Sequence, residues 1–136
     1  MSNPVITLEF PFVVDRPTAN GRIYPREVME TAIANYQKAM SERRTFGELG
    51  EGEGHVSLSK VSHIVLALKI EDDDVIKGDI EVLPTENGKT LAFLHYSELP
   101  LTLAPVGSID VDPDTGKISS LSLHYVNVVA DPIESK

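Results

Sequence analysis

The segment VSHIVLALKIEDDDVIKGDIEVL, residues 61–83, constrains the fold of this chain more than any other stretch. It opens with a run of apolar and β-branched residues, passes through the acidic group Glu71–Asp74, and continues as an alternation. In that second half Val75, Lys77, Asp79 and Glu81 fall on one side, with Ile76, Ile80 and Val82 on the other. A period of two is what a strand with one buried face requires, and a polar cluster between two such runs marks a turn, so the segment predicts two antiparallel strands. A hairpin cannot bury a core by itself, so other elements must cover its apolar face.

The rest of the chain supplies candidates. Val5–Val14 reads VITLEFPFVV and predicts another strand, with Pro11 pointing to a sheet edge or a bulge. Asn20-Gly21 signals a turn. Pro25 stands where the first residue of a helix would, and Met29, Ile33, Tyr36 and Met40 recur at helical spacing. The spacing predicts an amphipathic helix over about 25–42, with its stripe on a sheet and Arg26, Glu30, Gln37 and Lys38 facing water. Thr85–Gly88 is turn-like, and residues 89–97 predict a short helix burying Leu91, Leu94 and Tyr96. Beyond Pro100, LTLAPVGSIDVD and GKISSLSLHYVNVVADP predict two strands around the turn 113–116. The expected fold is α+β: a mostly antiparallel sheet or barrel with one long helix (about 25–42) and a short one (about 89–97), as a single domain over 1–136.

Composition narrows the function classes. The chain has 136 residues, the size of one domain, and no apolar stretch of the length a bilayer span needs. No signal peptide is visible at MSNPVITLEF, so a cytoplasmic site of synthesis is expected. With no cysteine, disulfides, thiolate metal sites and cysteine nucleophiles are excluded. A formal net charge of -9 repels phosphate backbones, so no direct nucleic-acid partner and no membrane partner is expected; a basic protein surface suits it better.

Four histidines stand at 55, 63, 95 and 124. His63 and His124 lie inside strand-like runs and read as structural residues satisfied by neighbours. His55 sits in the loop GELGEGEGH among Glu48, Glu51 and Glu53, where nearby carboxylates would raise its pKa and suit it to acid-base work; a solvated loop histidine is the plainer reading. No pair of histidines has metal-ligand spacing, so no metal and no cofactor are expected. The glycine-rich loop lacks the lysine and hydroxyl residue that a phosphate loop needs. None of the serines stands in a Gly-x-Ser-x-Gly elbow.

Four segments in this order, NGRIYPREVMETAI (20–33), GELG followed by VSLSKVSHIV (47–50 and 56–65), LTLAPVGSIDVD (101–112) and VNVVADP (126–132), resemble the prohead maturation proteases of tailed bacteriophages, serine proteases related in fold to the herpesvirus capsid maturation protease. The resemblance runs from about Asn20 to Pro132. Members of that family continue the GEL motif into the histidine that acts as general base; this chain has Glu51 after Gly50. The family places its nucleophile in a Ser-Ser-Arg-Gly-like segment before a Gly-Ser pair; counted back from Gly107-Ser108, those positions hold Thr102, Leu103, Ala104 and Pro105. Leu103 offers no nucleophile, Thr102 is a poor substitute, and Pro105 lacks the N–H an oxyanion donor needs. The aspartate common before the last motif is Asn127, which cannot supply the charge that stabilises an imidazolium.

The resemblance therefore implies a protease fold that has lost its chemistry, with Glu51, Thr102, Leu103 and Asn127 as degenerate positions. It implies a capsid decoration or cement protein in the virion, made in the host cytoplasm, partnered with the major capsid protein and associating as a homo-dimer or trimer. The alternative is an active or regulatory prohead serine protease acting on scaffold and capsid precursors, with His55 or His63 as base and Ser108 or Thr102 as nucleophile.

Overall fold

The structure is a computed structural model that describes residues 3–50 and 56–130. The hairpin forms as expected: β3 (Val61–Ile70) and β4 (Val75–Val82) pair antiparallel, and Asp74 turns the chain at a φ of 70. Along β4 burial alternates strictly, with Ile76, Gly78, Ile80 and Val82 inward. Gly78 has a packing reason: a Cβ there would lie 2.8 Å from both the Leu68 and the Leu103 side chains, which close over the strand at that point.

β1 (Val5–Val13) joins β4 antiparallel at the edge of its sheet and turns Ile6, Leu8 and Phe10 inward. Its register slips between Glu9 and Val13, the interval that holds Pro11. Pro11 thus has both features its chemistry allows, an edge strand and an irregularity that spares the ladder a missing N–H. The sheet order is β1-β4-β3-β2, where β2 is the short strand Phe46–Glu48. The sequence reading left β2 in a loop, because three residues containing a glycine carry no alternation to detect. A separate long hairpin, β5 (Leu101–Val111) with β6 (Ile118–Ala130), turns at residues 113–116, where Gly116 has a φ of 76.

Two seams join these sheets into a half-barrel. Leu49 bridges Val128 in parallel, with the Gly50 N–H donating to the Val128 carbonyl at 2.7 Å, and on the other side the Thr102 hydroxyl donates to the Glu9 carbonyl at 2.8 Å. α1 (Arg26–Ser41) lies across β6 and β3 and closes the core with Met29, Ala32, Tyr36 and Met40. Three residues differ from expectation here. Ile33 is only half-buried, Ala32 taking its place on the inner face. Pro25 is the N-cap with extended backbone rather than the first helical residue. Arg26 is half-exposed and also held: its guanidinium pairs with Asp74, and its backbone N–H donates to the Asp15 carboxylate at 2.9 Å, which supplies the cap Pro25 cannot.

α2 (Glu86–Tyr96) starts earlier than expected, inside the stretch read as a turn. The Thr85 hydroxyl accepts from the Gly88 N–H at 2.9 Å and donates to the Val61 carbonyl at 2.6 Å, capping the helix and tying it to β3. Leu91 is fully buried and Leu94 half-buried, but Tyr96 is exposed, since five residues at about 3.6 per turn carry it well round the helix from the face that Leu91 fixes.

The α1 packing predicts a gradient. Met29→Ala should cost about 2–5 kcal/mol of unfolding free energy, and Ile33→Ala clearly less. Urea denaturation of both variants measures this, and equal losses would contradict the inward placement of Ala32 over Ile33.

Candidate functional site

Three segments that the resemblance marks as functional meet around Asn127. β2 approaches β6 from one side: the Glu48 N–H donates to Asn127 Oδ1 at 2.9 Å, in a spot where both residues are buried. The Glu48 carboxylate turns back and accepts from the Ser57 N–H at 2.6 Å. From the other side β5 pairs Ala104 with Asn127, Pro105 with Val126, Leu103 with Val128 and Thr102 with Val129. The GELG strand, the Thr102–Pro105 stretch and the 126–130 strand are therefore neighbours in space though far apart in sequence. Glu51 and His55 lie outside the described residues.

The side chains at this junction hold structure together. Thr102 is nearly buried and its hydroxyl is spent on the Glu9 carbonyl; Leu103 is fully buried in the core. Ala104 offers no reactive atom, and Pro105 no N–H. Ser108 stands four residues further along β5, about 13 Å from Ala104 at an ordinary strand rise. It is exposed, pairs with Ser122, and has its hydroxyl 3.4 Å from His124 Nε2. That contact is at the outer limit of a hydrogen bond. His124 is the unopposed residue of a bulge, since Val106 pairs with Tyr125 and Gly107 with Leu123, and it is exposed rather than part of the core.

His63 behaves as a structural histidine. It is fully buried, with Nδ1 2.7 Å from the Ser62 hydroxyl and Nε2 2.9 Å from the Val126 carbonyl. A carbonyl can only accept, so Nε2 carries the proton and Nδ1 accepts from Ser62. A serine–imidazole pair is the arrangement nucleophilic catalysis uses, and sequence reading did not find it because adjacent strand residues normally point to opposite faces. Here both members are sealed from solvent, and burial pushes the His63 imidazole down to about 4. Gly47 makes the arrangement possible: a Cβ at that position would stand 2.3 Å from both His63 Nε2 and the Val126 carbonyl oxygen. Among the described residues no cluster of three His, Asp or Glu side chains is placed to hold a metal ion.

His63 predicts a pH dependence. Its folded-state value of about 4 lies below the ordinary 6.5, so as pH falls the unfolded chain takes up the proton first. The contribution of His63 is complete above about pH 6.5 and is lost as the pH drops toward about 4, by on the order of 3 kcal/mol. Urea midpoints measured across that interval should fall with pH in the natural chain and fall less in His63→Asn; parallel curves would refute the buried neutral imidazole.

Comparison with known proteins gives two likenesses. In backbone the chain matches the capsid assembly protease gp21 of bacteriophage T4, with a TM-score of 0.73, 19% identity, and coverage of 97% of this chain and 90% of that one. In sequence it is 31% identical over 117 residues to transcription elongation factor GreA of Leuconostoc mesenteroides, an alignment taking in 77% of this chain and 73% of that one. No family model matches. Taken alone, identity of that degree over that share of both chains assigns a family, and the two assignments disagree. At 19% identity the backbone match shows the fold: the chain has a prohead-protease-like fold, shared over nearly all of its length with the T4 capsid assembly protease.

Proposed function

We propose that this chain is a capsid decoration or cement protein, built on a prohead-protease-like fold without working chemistry, that stabilises the assembled phage head by binding its major capsid protein. The observation that carries the reading is the content of the junction at Asn127. Where the fold gathers the three motif segments, it gathers a spent threonine, a core leucine, an alanine and an amide. A serine protease needs a base within reach of a nucleophile and an oriented partner for the base. Among the described residues the imidazole at this junction, His63, is buried and neutral with both nitrogens committed.

Without catalysis, the surface is what such a protein has to offer. Binding the assembled shell and not its free subunits shifts assembly toward the shell by mass action, with no bond made or broken. The excess of 21 acidic over 12 basic residues suits contact with basic patches on a protein shell. The virion is then where the protein resides. A second reading is a transcription role, which the 31% identity to GreA favours. A third is a protease, active or regulatory, using the Ser108–His124 contact.

Quantitative mass spectrometry of purified virions separates them. A full-length chain at a fixed simple ratio to the major capsid protein is expected. Recovery with transcription complexes and absence from virions would instead support the GreA-like reading. Ser108→Ala should leave both virion incorporation and precursor processing unchanged; a processing defect in that variant would establish the protease.

A further inference from the structure

β6 has a strand partner along one edge, where β5 runs beside it from Ile118 to Ala130. Among the described residues the opposite edge is met only near its ends. Ile23 bridges Lys117 and takes the Ile118 N–H on its carbonyl at 2.8 Å; at the other end Leu49 bridges Val128, and the Val126 carbonyl accepts from His63 Nε2. Between these points the edge is open. The Ser122 carbonyl faces β5, since a Cβ on Gly107 would stand 1.9 Å from it. Residues of an antiparallel ladder alternate between edges, so Leu121 and Leu123 turn their N–H and C=O groups the other way. Those groups have no hydrogen-bond partner among the described residues. Natural sheet edges are commonly blunted by lysine, proline or inward-pointing charge, and the stretch 119–123, SSLSL, has none of these.

α1 runs beside this edge without sealing it. A hollow of about 350 Å³ separates Val28, Thr31 and Asn35 on the helix from Ser119, Ser120 and Leu121 on the strand. Past Glu27 it continues into a hollow of about 600 Å³, and past Asn35 into one of about 380 Å³ that reaches Leu123 and His124. The three make one groove along the helix, neutral in the middle and of opposite charge at its ends. The first end sets Asp15, Glu27, Glu30 and Asp112 against Arg26 and Lys117; the second sets Lys38, Arg44 and His124 against Glu42. Arg26 pairs with Asp74 and Arg44 with Glu42, while Glu27 and Lys38 are exposed and have no ion-pair partner among the described residues.

We infer that this groove takes one extended peptide segment of a partner protein, which adds to β6 as a further strand. The backbone decides the class of ligand: free N–H and C=O groups in strand geometry are matched by the backbone of another strand. With α1 as its far wall the groove has room for a single chain and not for the sheet edge of a second folded copy. Antiparallel pairing is the slightly more stable kind. Since β6 runs from the acidic end of the groove to the basic end, such a segment carries a carboxylate toward its N-terminal side, near Lys38, and a cation toward its C-terminal side, near Glu27. The groove is the same whether or not the chain sits on a capsid, so this inference goes beyond the reading of function and does not rest on it.

Amide hydrogen exchange followed by NMR tests it. In the chain alone the Ser122 amide should exchange slowly and those of Leu121 and Leu123 fast. The probe is a synthetic peptide of alternating valine and threonine with glutamate at its N-terminal end and lysine at its C-terminal end. It should slow exchange at Leu121 and Leu123 about tenfold or more and bind with a dissociation constant on the order of 100 μM or tighter. N-methylation of every second peptide amide should abolish binding in one of the two phases, the one facing β6. Leu121→Pro removes an N–H from the open edge and none from the β5 ladder, and should lose binding where Leu121→Val keeps it. Lys38→Glu should weaken binding several-fold. Slow exchange at Leu121 and Leu123 in the chain alone would overturn the proposal, as would absence of binding at about 1 mM peptide or equal binding by the parent and both methylated peptides.

Discussion

The contact on which the architecture depends is the one between β2 and β6. Without it the two sheets, one of four strands and one of two, would meet only at the β1–β5 seam and across the helix. The Glu48 N–H bound to Asn127 Oδ1 and the Gly50 N–H bound to the Val128 carbonyl convert them into one half-barrel with a common core. Both bonds are made where water is largely excluded, so an unpaired group there would cost more than the bond itself contributes. That asymmetry makes an amide a good choice at position 127. A carboxylate would accept the same N–H, but it would place a second buried charge beside Glu48. An amide keeps the hydrogen bond without that electrostatic cost.

The same logic runs through the neighbouring positions. Thr102 closes the second seam through its hydroxyl, and Leu103 fills the space that Gly78 leaves open. Thr102 and Asn127 bond within the chain and Leu103 packs, so these positions serve the fold. Active sites keep strained, exposed or mismatched groups at some expense in stability. Thr102, Leu103 and Asn127 are none of these, being buried and either bonded or packed.

The sequence made the large elements legible and the small ones not. Alternation in β4 and the stripe on α1 are long enough for periodicity to average out exceptions, so the β3–β4 pair, the β5–β6 pair and both helices fell in place within a few residues. β2 was invisible because it is three residues long, and its identity as a strand comes from what β3 and β6 present to it. Tyr96 was misplaced because its burial depends on where α2 begins, and Thr85 begins it three residues before the apolar pattern does. Arg26 looked like a solvent residue by its helical phase, yet Asp74 reaches it from the β3–β4 turn, a contact nothing local encodes. At the site, the order of four motifs identified which segments would meet. It did not show that Ser62 and His63 would both turn inward, because that depends on β2 passing over them with Gly47 at the crossing.

The β2–β6 seam and the outer side of α2 have opposite characters. At the β2–β6 seam Glu48 and Asn127, and beside it Thr102, are buried and hydrogen-bonded within the chain. On the far side of β3, α2 buries only Gly88 and Leu91 fully and turns two aromatic rings out to solvent. Uncovered aromatic surface is expensive to keep in water and contributes nothing to the stability of the single chain. The exposed rings of α2 thus stand in contrast to the β2–β6 seam and the strand beside it, where Glu48, Thr102 and Asn127 are bonded within the chain and Leu103 is packed.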